Sequence, residues 1–451
     1  MFFRFIDLFA GIGGMRIGIE MAAQALGMEG ECVFTSEIKP AALEILRQNN
    51  PSERIYGDIR QISANAIPDF DLLLAGFPCQ AFSTAGKRDG FLDTRGTLFF
   101  EVERILQAKR PKAFLLENVE GLITHDRIAR TDAIGRTFST ILTHLRALGY
   151  QTDWVCLNAR DFGVPQERKR VYIIGSRSEL PLLGNFDTKT RLLKDVLETG
   201  LPTTHSPFIE ALLRTYTLEE LYGKSVKDKR GGENNVHSWD LGLKGTVSKK
   251  QKELLNCLSK ERRKKRWAAE YGIKWMDGMP LTYEQIATFF TAPNLLGLLE
   301  DLVEKGYLKK EHPKKEVVIT TNGLLRRYRV YDETLPLGYN IVSGKLSFEV
   351  NKILAPYDVA PTLVATDMQK IFVVDGDGLR PLSLREGLRL FGYPETFRFD
   401  IEPKRGYDLL GNTVAVPVVC AIAKRLLEIL RREKSFERNE IDCTRDLPTF
   451  G

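Results

Sequence analysis

Short apolar runs alternate with amphipathic stretches over the first 180 residues of the chain. Six runs have the length and composition of β-strands, and the segments between several of them carry apolar residues at helical spacing. This alternation predicts an α/β fold with a Rossmann-like, doubly wound and mostly parallel sheet. The predicted strands are FRFIDLF (3–9), ECVFTSE (31–37), FDLLLAG (70–76), AFLLEN (113–118), YQTDWVCLN (150–158) and RVYIIGS (170–176). The predicted helices are RIGIEMAAQAL (16–26), PAALEILRQN (40–49), LFFEVERILQAKR (98–110) and TFSTILTHLRALG (137–149).

The pattern changes after residue 180. Residues 180–375 lose the alternation of strands and helices, and order returns near residue 380. The segment TVAVPVVCAIAKRLLEILRRE (413–433) has the apolar spacing of a long amphipathic helix. The polar, charged residues 434–451 are predicted to form a loose C-terminal tail.

Composition excludes several classes of protein. The 451 residues are 43% hydrophobic and 27% charged, which is ordinary for a globular chain. No run approaches the roughly 20 apolar residues of a membrane span, and a signal peptide is not expected. The six cysteines form no CxxC pair, which favours reduced thiols in a cytoplasm. Since HExxH and HxH spacings are lacking too, no metal site is predicted.

The positive charge is concentrated in one block. Residues 241–330 hold 19 Lys/Arg and 10 Asp/Glu, a net charge of +9, whereas the whole chain carries +6. A basic block in a chain that is otherwise near neutral is typical of a nucleic-acid contact. A solvated helical surface is the alternative.

The motif DLFAGIGG (7–14) joins a predicted strand to a predicted helix through glycines. Such a turn lets the backbone approach a ligand at a helix N-terminus. Glu37 ends the next strand, where a carboxylate can bind ribose hydroxyls, and Asp58 could accept a hydrogen bond from an adenine amino group. A flavodoxin-like or NAD-binding domain would look similar, but the GxGG spacing differs from the GxGxxG of NAD-binding proteins.

Three further motifs follow predicted strand ends or lead into a strand. Cys79 in PCQ lies just beyond strand 70–76, at the edge where doubly wound folds bind ligands, and is a candidate nucleophile. Glu117 in ENV could hold a proton near neutral pH if apolar groups surround it. Arg168 and Arg170 in QERKR alternate with Lys169, which predicts that both guanidinium groups project from one face.

Six motifs together resemble the bacterial DNA (cytosine-5)-methyltransferase family. They occur in order and cover about half of the chain: DLFAGIGG, GFPCQAFS, LLENVEGL, QERKR, RPLSLREGLRLFGYPETF (380–397) and GNTVAVPV (411–418). The resemblance implies a catalytic and cofactor-binding domain at 1–180 plus 405–433, and an irregular target-recognition domain at 181–404. It also implies that the enzyme uses S-adenosylmethionine and methylates double-stranded DNA, as restriction–modification methyltransferases do. A separately encoded cognate endonuclease and a monomeric state are expected.

The resemblance implies roles for individual residues. Cys79 would attack C6 of a flipped-out cytosine, Glu117 would hold N3 and the exocyclic amine, and Arg168 and Arg170 would neutralise and orient the base. Arg170 is the predicted contact to cytosine O2. The implied cofactor-binding residues are Phe9, Gly11, Gly13, Glu37, Asp58, Ile59, Pro78 and Asn412. The implied DNA-binding residues are Gln80, Asn118, Gln166, Thr362 and Leu363, of which Thr362 and Leu363 are predicted to face the groove.

The middle region contains a predicted winged helix-turn-helix module, at 246–330. Thr282 would cap a short helix, a second helix with leucines would end at Gly306, and VVITTNGLLRRYRV (317–330) would form a two-stranded wing. Upstream, KKQKELLNCLSKERRKKR (249–266) would supply the first helix. The hypothesis is that its basic face contacts DNA; an ordinary helical insertion is the alternative.

Two other functions remain open at this point. The tRNA-methylating branch of the same family uses similar chemistry, since RNA loops present unstacked cytosines. The basic middle region favours DNA. A catalytically silent DNA-binding protein is the other alternative, although the joint presence of Cys79, Glu117, Arg168 and Arg170 argues against it.

Overall fold

The computed structural model describes residues 1–78, 98–129, 131–228, 234–273, 278–321, 324–342 and 348–445. The strands of these residues are β1 (Phe2–Leu8), β2 (Glu29–Ser36), β3 (Ile55–Tyr56), β4 (Leu72–Ala75), β5 (Ala113–Val119), β6 (Gln151–Asn158), β7 (Lys169–Ser176), β8 (Ser225–Val226), β9 (Asn235–Val236), β10 (Leu308–Glu311), β11 (Lys314–Thr321), β12 (Leu324–Tyr331), β13 (Gly338–Ile341), β14 (Lys352–Ile353), β15 (Ile371–Asp375) and β16 (Gly378–Pro381). The α-helices are α1 (Gly14–Ala25), α2 (Pro40–Asn49), α3 (Leu98–Lys109), α4 (Arg136–Ala147), α5 (Pro207–Thr215), α6 (Leu218–Leu221), α7 (Lys249–Glu261), α8 (Lys265–Ala269), α9 (Tyr283–Ala287), α10 (Leu295–Glu304), α11 (Leu384–Arg389), α12 (Pro403–Gly411) and α13 (Val416–Arg445).

Seven strands form the central sheet, in the order β3-β2-β1-β4-β5-β7-β6. Strands β1 to β5 pair in parallel, and β7 pairs antiparallel with both β5 and β6. The predicted α/β class and mostly parallel sheet are therefore confirmed. All six predicted strands are present, and the two-residue β3 was not predicted.

The sheet is buried on both faces, which makes three layers. Alternate residues of β4 separate to opposite sides: Leu73 belongs to the core beneath α3 and α4, and Leu74 belongs to the core beneath α1 and α13. Strands covered on both faces are near-continuous apolar runs, which explains why these segments lack polar alternation. Burial of both faces leaves the strand ends as the part of the sheet open to ligands.

The chain divides into two compact units. Unit 1 comprises residues 1–198, 355–369 and 382–451, and unit 2 comprises residues 199–354 and 370–381. The predicted recognition domain, 181–404, differs from unit 2, because residues 181–198, 355–369 and 382–404 belong to unit 1. In unit 1, α11 packs closely on α12: a Cβ added at Gly387 would lie 2.5 Å from Cδ1 of Leu410. The Tyr407 hydroxyl also donates to the Leu382 carbonyl.

Helix α13 continues well past its predicted end. It runs to Arg445, whereas the prediction ended the helix at 433 and made 434–451 a loose tail. The segment from 434 to 445 contains neither glycine nor proline, so no residue in it stops a helix. Residues 446–451 lie outside the described part of the chain.

Unit 2 contains two hydrophobic clusters. One packs α5 and α6 on the sheet of order β16-β15-β14-β8-β9. The other combines α7 to α10 with β10 and β13 and extends from Trp239 to Ile341. The second cluster contains the helices predicted for the winged-helix module, and none of the described residues of the predicted wing 317–330 belongs to it. Thr282 caps α9 in a capping box with Gln285, and Gly306 follows α10 with φ +76°.

Candidate active site

The predicted site residues of unit 1 follow strand ends at one edge of the sheet. Parallel strands β1 to β5 end at the same edge, and antiparallel β7 begins there. The sheet order therefore brings together residues that are far apart in the sequence. Going across the sheet from β3 to β7, they are Asp58, Glu37, Phe9, Pro78, Glu117 and Arg170.

The glycine turn after β1 has a left-handed backbone. Phe9, Gly11 and Gly13 have φ of 56°, 55° and 84°. A Cβ added at Gly11 would meet no atom within 4 Å, so the space above this turn is open. Helix α1 begins at Gly14 without a side-chain cap on its first N–H groups. The turn thus offers a helix N-terminus beside an open space, which suits an anionic or polar ligand group.

Glu37 fixes the glycine turn from the neighbouring strand. Its Oε2 accepts a hydrogen bond of 2.7 Å from the Gly11 N–H. Its Oε1 accepts from the N–H groups of Ile38 and Lys39, at 2.7 and 2.8 Å. Glu37 therefore holds two loops together, and Oε2, which accepts one hydrogen bond, has a lone pair left for a ligand hydroxyl.

Asp58 lies beyond β3 and caps a short 3-10 turn. Its carboxylate accepts from the Arg60 N–H at 3.1 Å and from the Arg60 guanidinium. These hydrogen bonds hold the pKa of Asp58 below its usual range, so the group is an anionic acceptor. The neighbouring Ile59 is 2% exposed and packs in the core under this turn.

Glu117 and Arg170 form a buried ion pair at the end of β5. The distance between Arg170 Nε and Glu117 Oε1 is 3.1 Å, and the side chains are 14% and 10% exposed. Burial raises the pKa of Glu117, and the charges of Arg170 and Arg168 oppose that rise. Burial thus favours the protonated form of Glu117 more than that form is favoured in an exposed carboxyl.

Asn118 connects β5 to the loop that precedes Cys79. Its Nδ2 donates to the Phe77 carbonyl at 3.1 Å, and its Oδ1 accepts from the Val119 N–H at 2.9 Å. Its side chain is 1% exposed. Asn118, which was predicted to contact DNA, thus bonds main-chain groups and positions the loop. Cys79 and Gln80 lie outside the described residues.

Arg168 differs from its predicted place beside Arg170. Its guanidinium donates to the carbonyls of Leu363 and Thr413, at 3.1 and 2.6 Å, and lies 5.0 Å from the centre of the Phe391 ring. The residue is 3% exposed. Arg168 therefore holds distant segments of unit 1 together, and its charge lowers the pKa of Glu117.

Two predicted DNA contacts are buried in unit 1. Gln166 and Leu363 are both fully buried, and the Gln166 amide donates to the Leu390 carbonyl at 2.7 Å. The prediction that Leu363 faces the groove is corrected: its side chain is fully buried, and its N–H and C=O bond Gln166 and Arg168. Thr362 is exposed, and its hydroxyl donates to the Glu167 carbonyl.

Asn412 caps the C-terminus of α12 and is exposed. Its Nδ2 donates to the Asp408 carbonyl at 2.7 Å. Asp408 is in turn paired with Lys39, which follows Glu37. This pairing connects α12 to the loop after β2, where the predicted ribose acceptor lies.

Two buried features beside the glycine turn were not predicted from the sequence. Asp7 is 1% exposed, and burial raises its pKa to about 7 although Arg16 is near. The hydroxyls of Tyr393 and Thr413 bond each other at 2.5 Å, directly against Gly14. Asp7 could have been singled out in the sequence, because it is an acidic residue inside an apolar strand. The Tyr393–Thr413 contact could not, because it depends on tertiary packing.

The described residues contain neither a metal-binding cluster nor a membrane-spanning helix. They contain no group of three or more His, Cys, Asp or Glu side chains that could hold a metal ion. None of the helices in the described part of the chain is long and apolar enough to cross a membrane.

Comparison with known proteins identifies strong similarities over almost the full chain. Residues 3–428 match the family model described as C-5 cytosine-specific DNA methylase. The chain is 61% identical over 427 residues to the Type II methyltransferase M.NlaIV of Neisseria lactamica, covering 95% of this chain and 99% of that protein. It is 41% identical over 449 residues to the Type II methyltransferase M.BanI of Aneurinibacillus aneurinilyticus, covering 94% and 96%.

A solved structure shares the fold at low identity. The crystal structure of S. pombe Dnmt2 methyltransferase superposes with a TM-score of 0.52 and 16% identity, over 95% of this chain and 99% of that one. This similarity confirms the α/β architecture of the sheet and its helices.

Proposed function

The chain belongs to the C-5 cytosine-specific DNA methylase family and is a DNA cytosine-5 methyltransferase, and we propose that the sheet edge of unit 1 is its active site. The buried Glu117–Arg170 pair carries this proposal, since Glu117 is a buried carboxyl with a raised pKa at the strand end whose Asn118 bonds Phe77, two residues before Cys79. The similarity to Type II enzymes supports a role in a restriction–modification system. A separately encoded endonuclease and a monomeric enzyme are part of the proposal.

The glycine turn and its neighbours suit S-adenosylmethionine, which the methyltransferase family uses in general. The open space at Gly11 and the uncapped N-terminus of α1 suit the polar methionine end. The remaining lone pair of Glu37 Oε2 suits a ribose hydroxyl, and the anionic Asp58 suits an adenine amino group. Phe9, Gly13, Ile59, Pro78 and Asn412 complete the proposed site. When bound, the cofactor supplies an electrophilic methyl group on a sulfonium.

The proposed chemistry begins at Cys79. Cytosine C5 is a poor nucleophile, and addition of the Cys79 thiolate to C6 makes C5 enamine-like. Glu117 holds N3 and the exocyclic amine, so that its proton neutralises N3 as negative charge develops on the ring. Arg170 orients Glu117 and donates to cytosine O2. After C5 is methylated, loss of the C5 proton lets the Cys79–C6 bond break and restores the thiolate.

The target base must leave the duplex for this reaction, because C5 and C6 lie inside the base stack. Asn118 supports the approach of Cys79 by fixing the main chain at Phe77. Arg168 contributes as a positioning residue, because it bonds main chain rather than an open space. Gln80 and Thr362 are proposed DNA contacts.

Methyl transfer to DNA and to tRNA in parallel tests the proposed function. Labelled S-adenosylmethionine is offered to mixed-sequence duplex DNA and to bulk tRNA, and modified cytosines are mapped by bisulfite conversion. We expect label at cytosines of one short DNA motif. Label in tRNA alone, or in neither substrate, would reject the proposal.

A 5-fluorocytosine duplex tests the covalent step. Since fluorine does not leave as the C5 proton does, we expect a covalent adduct with the wild-type protein and none with Cys79→Ser. The Cys79→Ser protein should still bind DNA, because phosphate contacts come from other residues. Active wild-type enzyme that forms no adduct would remove Cys79 from the mechanism.

A further inference from the structure

The first residue of α1 lies in close contact with two buried hydroxyl groups. A Cβ added at Gly14 would lie 2.6 Å from the Tyr393 hydroxyl and 3.0 Å from Oγ1 of Thr413. Gly14 begins a helix and does not have a left-handed backbone, so glycine is needed here because of this close approach and not because of its φ. The two hydroxyls therefore meet α1 directly where the glycine turn ends.

The two hydroxyl groups are hydrogen-bonded to each other in the interior of unit 1. The distance between the Tyr393 hydroxyl and Thr413 Oγ1 is 2.5 Å, and both residues are buried. The ring of Tyr393 packs on Phe397, with 4.7 Å between the ring centres. Because a buried hydroxyl that loses its partner is costly, each of the two groups fixes the position of the other. We call the hydroxyls of Tyr393 and Thr413 the hydroxyl pair.

The main chain that carries the hydroxyl pair is fixed as well. The Thr413 carbonyl accepts a hydrogen bond of 2.6 Å from the Arg168 guanidinium. The Val416 N–H donates to the Phe391 carbonyl at 2.9 Å, which connects the start of α13 to the chain two residues before Tyr393. These bonds hold the hydroxyl pair in place without any contribution from α1.

The hydroxyl pair lies between two parts of the proposed cofactor site. On one side, Thr413 directly follows Asn412, the exposed residue at the C-terminus of α12. On the other side, Gly14 directly follows the glycine turn, which ends at Gly13. These two parts are far apart in the sequence, so their spacing depends on the contact that the hydroxyl pair makes with Gly14.

We propose that the hydroxyl pair sets the spacing between Asn412 and the glycine turn, and that Tyr393 is thereby a positioning residue for the methionine end of S-adenosylmethionine. Tyr393 does this without touching the cofactor, since its hydroxyl is buried and bonded to Thr413. Without that hydroxyl, Thr413 Oγ1 loses its partner and a gap opens beside Gly14, so the spacing is no longer fixed. The inference rests on the proposed function, in which the glycine turn and Asn412 bind this cofactor.

The test measures binding of S-adenosylhomocysteine and of adenosine to the full-length protein by calorimetry. Tyr393→Phe keeps the ring and removes the hydroxyl. We expect this variant to bind S-adenosylhomocysteine about five- to tenfold more weakly than the wild type does. Adenosine has no methionine end, so its affinity should not change. A variant that is merely loosened would bind both ligands more weakly, so the ratio of the two affinities separates positioning from stability.

Tyr150→Phe is the matched control. The Tyr150 hydroxyl is buried and donates to the Pro111 carbonyl at 2.8 Å. Both residues precede strands β6 and β5 at the edge of the sheet opposite the proposed site. Tyr150→Phe and Tyr393→Phe should lower the midpoint of denaturant unfolding to a similar extent, because each loses one buried hydrogen bond. Only Tyr393→Phe should bind S-adenosylhomocysteine more weakly.

Variants of Thr413 test whether the two hydroxyls act as a unit. Thr413→Val lacks the hydroxyl and should weaken binding of S-adenosylhomocysteine as Tyr393→Phe does. Thr413→Ser retains the hydroxyl and should bind as the wild type does. The double variant of Tyr393→Phe with Thr413→Val should bind no more weakly than either single variant, because both changes remove the same hydrogen bond.

Three results would overturn the inference. The first is equal affinity for S-adenosylhomocysteine in Tyr393→Phe and Tyr150→Phe. The second is an equal loss of affinity for S-adenosylhomocysteine and for adenosine in Tyr393→Phe, and the third is additive losses in the double variant. The wild type is measured first: if it does not bind S-adenosylhomocysteine, the proposed cofactor site itself is rejected, so that failure is recognised on its own.

Discussion

Arg170 Nε lies 3.1 Å from Glu117 Oε1, and both side chains are largely buried. The contact follows from strand register, because Val119 on β5 is opposite Arg170 on antiparallel β7. Glu117 is two residues before Val119 and therefore shares the face on which Arg170 projects. Two motifs about fifty residues apart are joined in this way into one charged pair.

Replacing Arg170 tests this pair. In Arg170→Gln, we expect methyl transfer under single-turnover conditions to fall by about 100-fold or more, because one donor to the developing charge is lost. The pKa of Glu117 should rise further, since the charge that opposes its burial is removed. The alkaline limb of the rate profile that reports loss of the Glu117 proton should then move to higher pH. Arg170→Lys should recover part of the rate, and an unshifted limb in Arg170→Gln would contradict the coupling.

Asn118 is expected to act on the rate rather than on binding. Asn118→Ala leaves the Phe77 carbonyl and the Val119 N–H without their side-chain partner, which should cost about 1–3 kcal/mol of unfolding free energy. It should also lower kcat with little effect on the KM for DNA, because the loop carrying Cys79 loses its anchor. Asn118→Asp keeps the acceptor for Val119 and loses the donor to Phe77, so it should share the kcat defect. A kcat that is normal in Asn118→Asp would show that the Phe77 bond is not needed.

Gly11 and Gly27 form a matched pair for testing the cofactor site. Both have positive φ, of 55° and 62°, and an added Cβ meets no atom within 4 Å at either position. Gly11→Ala and Gly27→Ala should each cost about 1–2 kcal/mol of unfolding free energy from backbone strain. Only Gly11→Ala should weaken binding of S-adenosylhomocysteine in calorimetry. Equal affinity in the two variants would place the cofactor elsewhere.

Arg168 should contribute mainly to stability. Its buried guanidinium bonds the carbonyls of Leu363 and Thr413, so Arg168→Met should lower the unfolding free energy by about 2–5 kcal/mol. Arg160→Met is the control, because Arg160 makes an exposed ion pair with Glu167 and should change stability by less than about 1 kcal/mol. Denaturant titration compares them. Equal losses of unfolding free energy in the two variants would contradict the proposed role of Arg168 in holding these segments together.

Asp7 should make stability depend on pH. Its carboxyl has an ordinary pKa near 3.8 when unfolded and a pKa of about 7 in the fold. Its protonated form therefore adds stability that is complete below about pH 3.8 and is lost as the pH rises through 7. Asp7→Asn should become more stable relative to the wild type across this window, by up to about 4 kcal/mol. Denaturant titrations at pH 4 to 8 measure this difference, and Asp69→Asn, at the surface beside Lys109, should show no such rise.

The sequence alone determined the α/β class and the position of most strands and helices. Continuous apolar runs separated by amphipathic stretches fit a sheet covered on both faces, and this pattern depends only on residues that are neighbours in the sequence. It also located Glu37 and Glu117 at the ends of predicted strands, since a polar residue directly after an apolar run marks where a strand leaves the core.

The tertiary structure decided which of these residues meet. Arg168 and Arg170 alternate along one strand, yet Arg170 bonds Glu117 and Arg168 bonds carbonyls 195 and 245 positions away. Leu363 was predicted to face the groove, yet its side chain is fully buried and its main chain bonds Gln166 and Arg168. Helix-forming and strand-forming tendencies depend on neighbours in sequence, whereas burial and pairing depend on how distant segments pack. The sequence pattern of this chain thus determined where its strands and helices lie. Only long-range packing decided which side chains face the site and which ones support it from the interior.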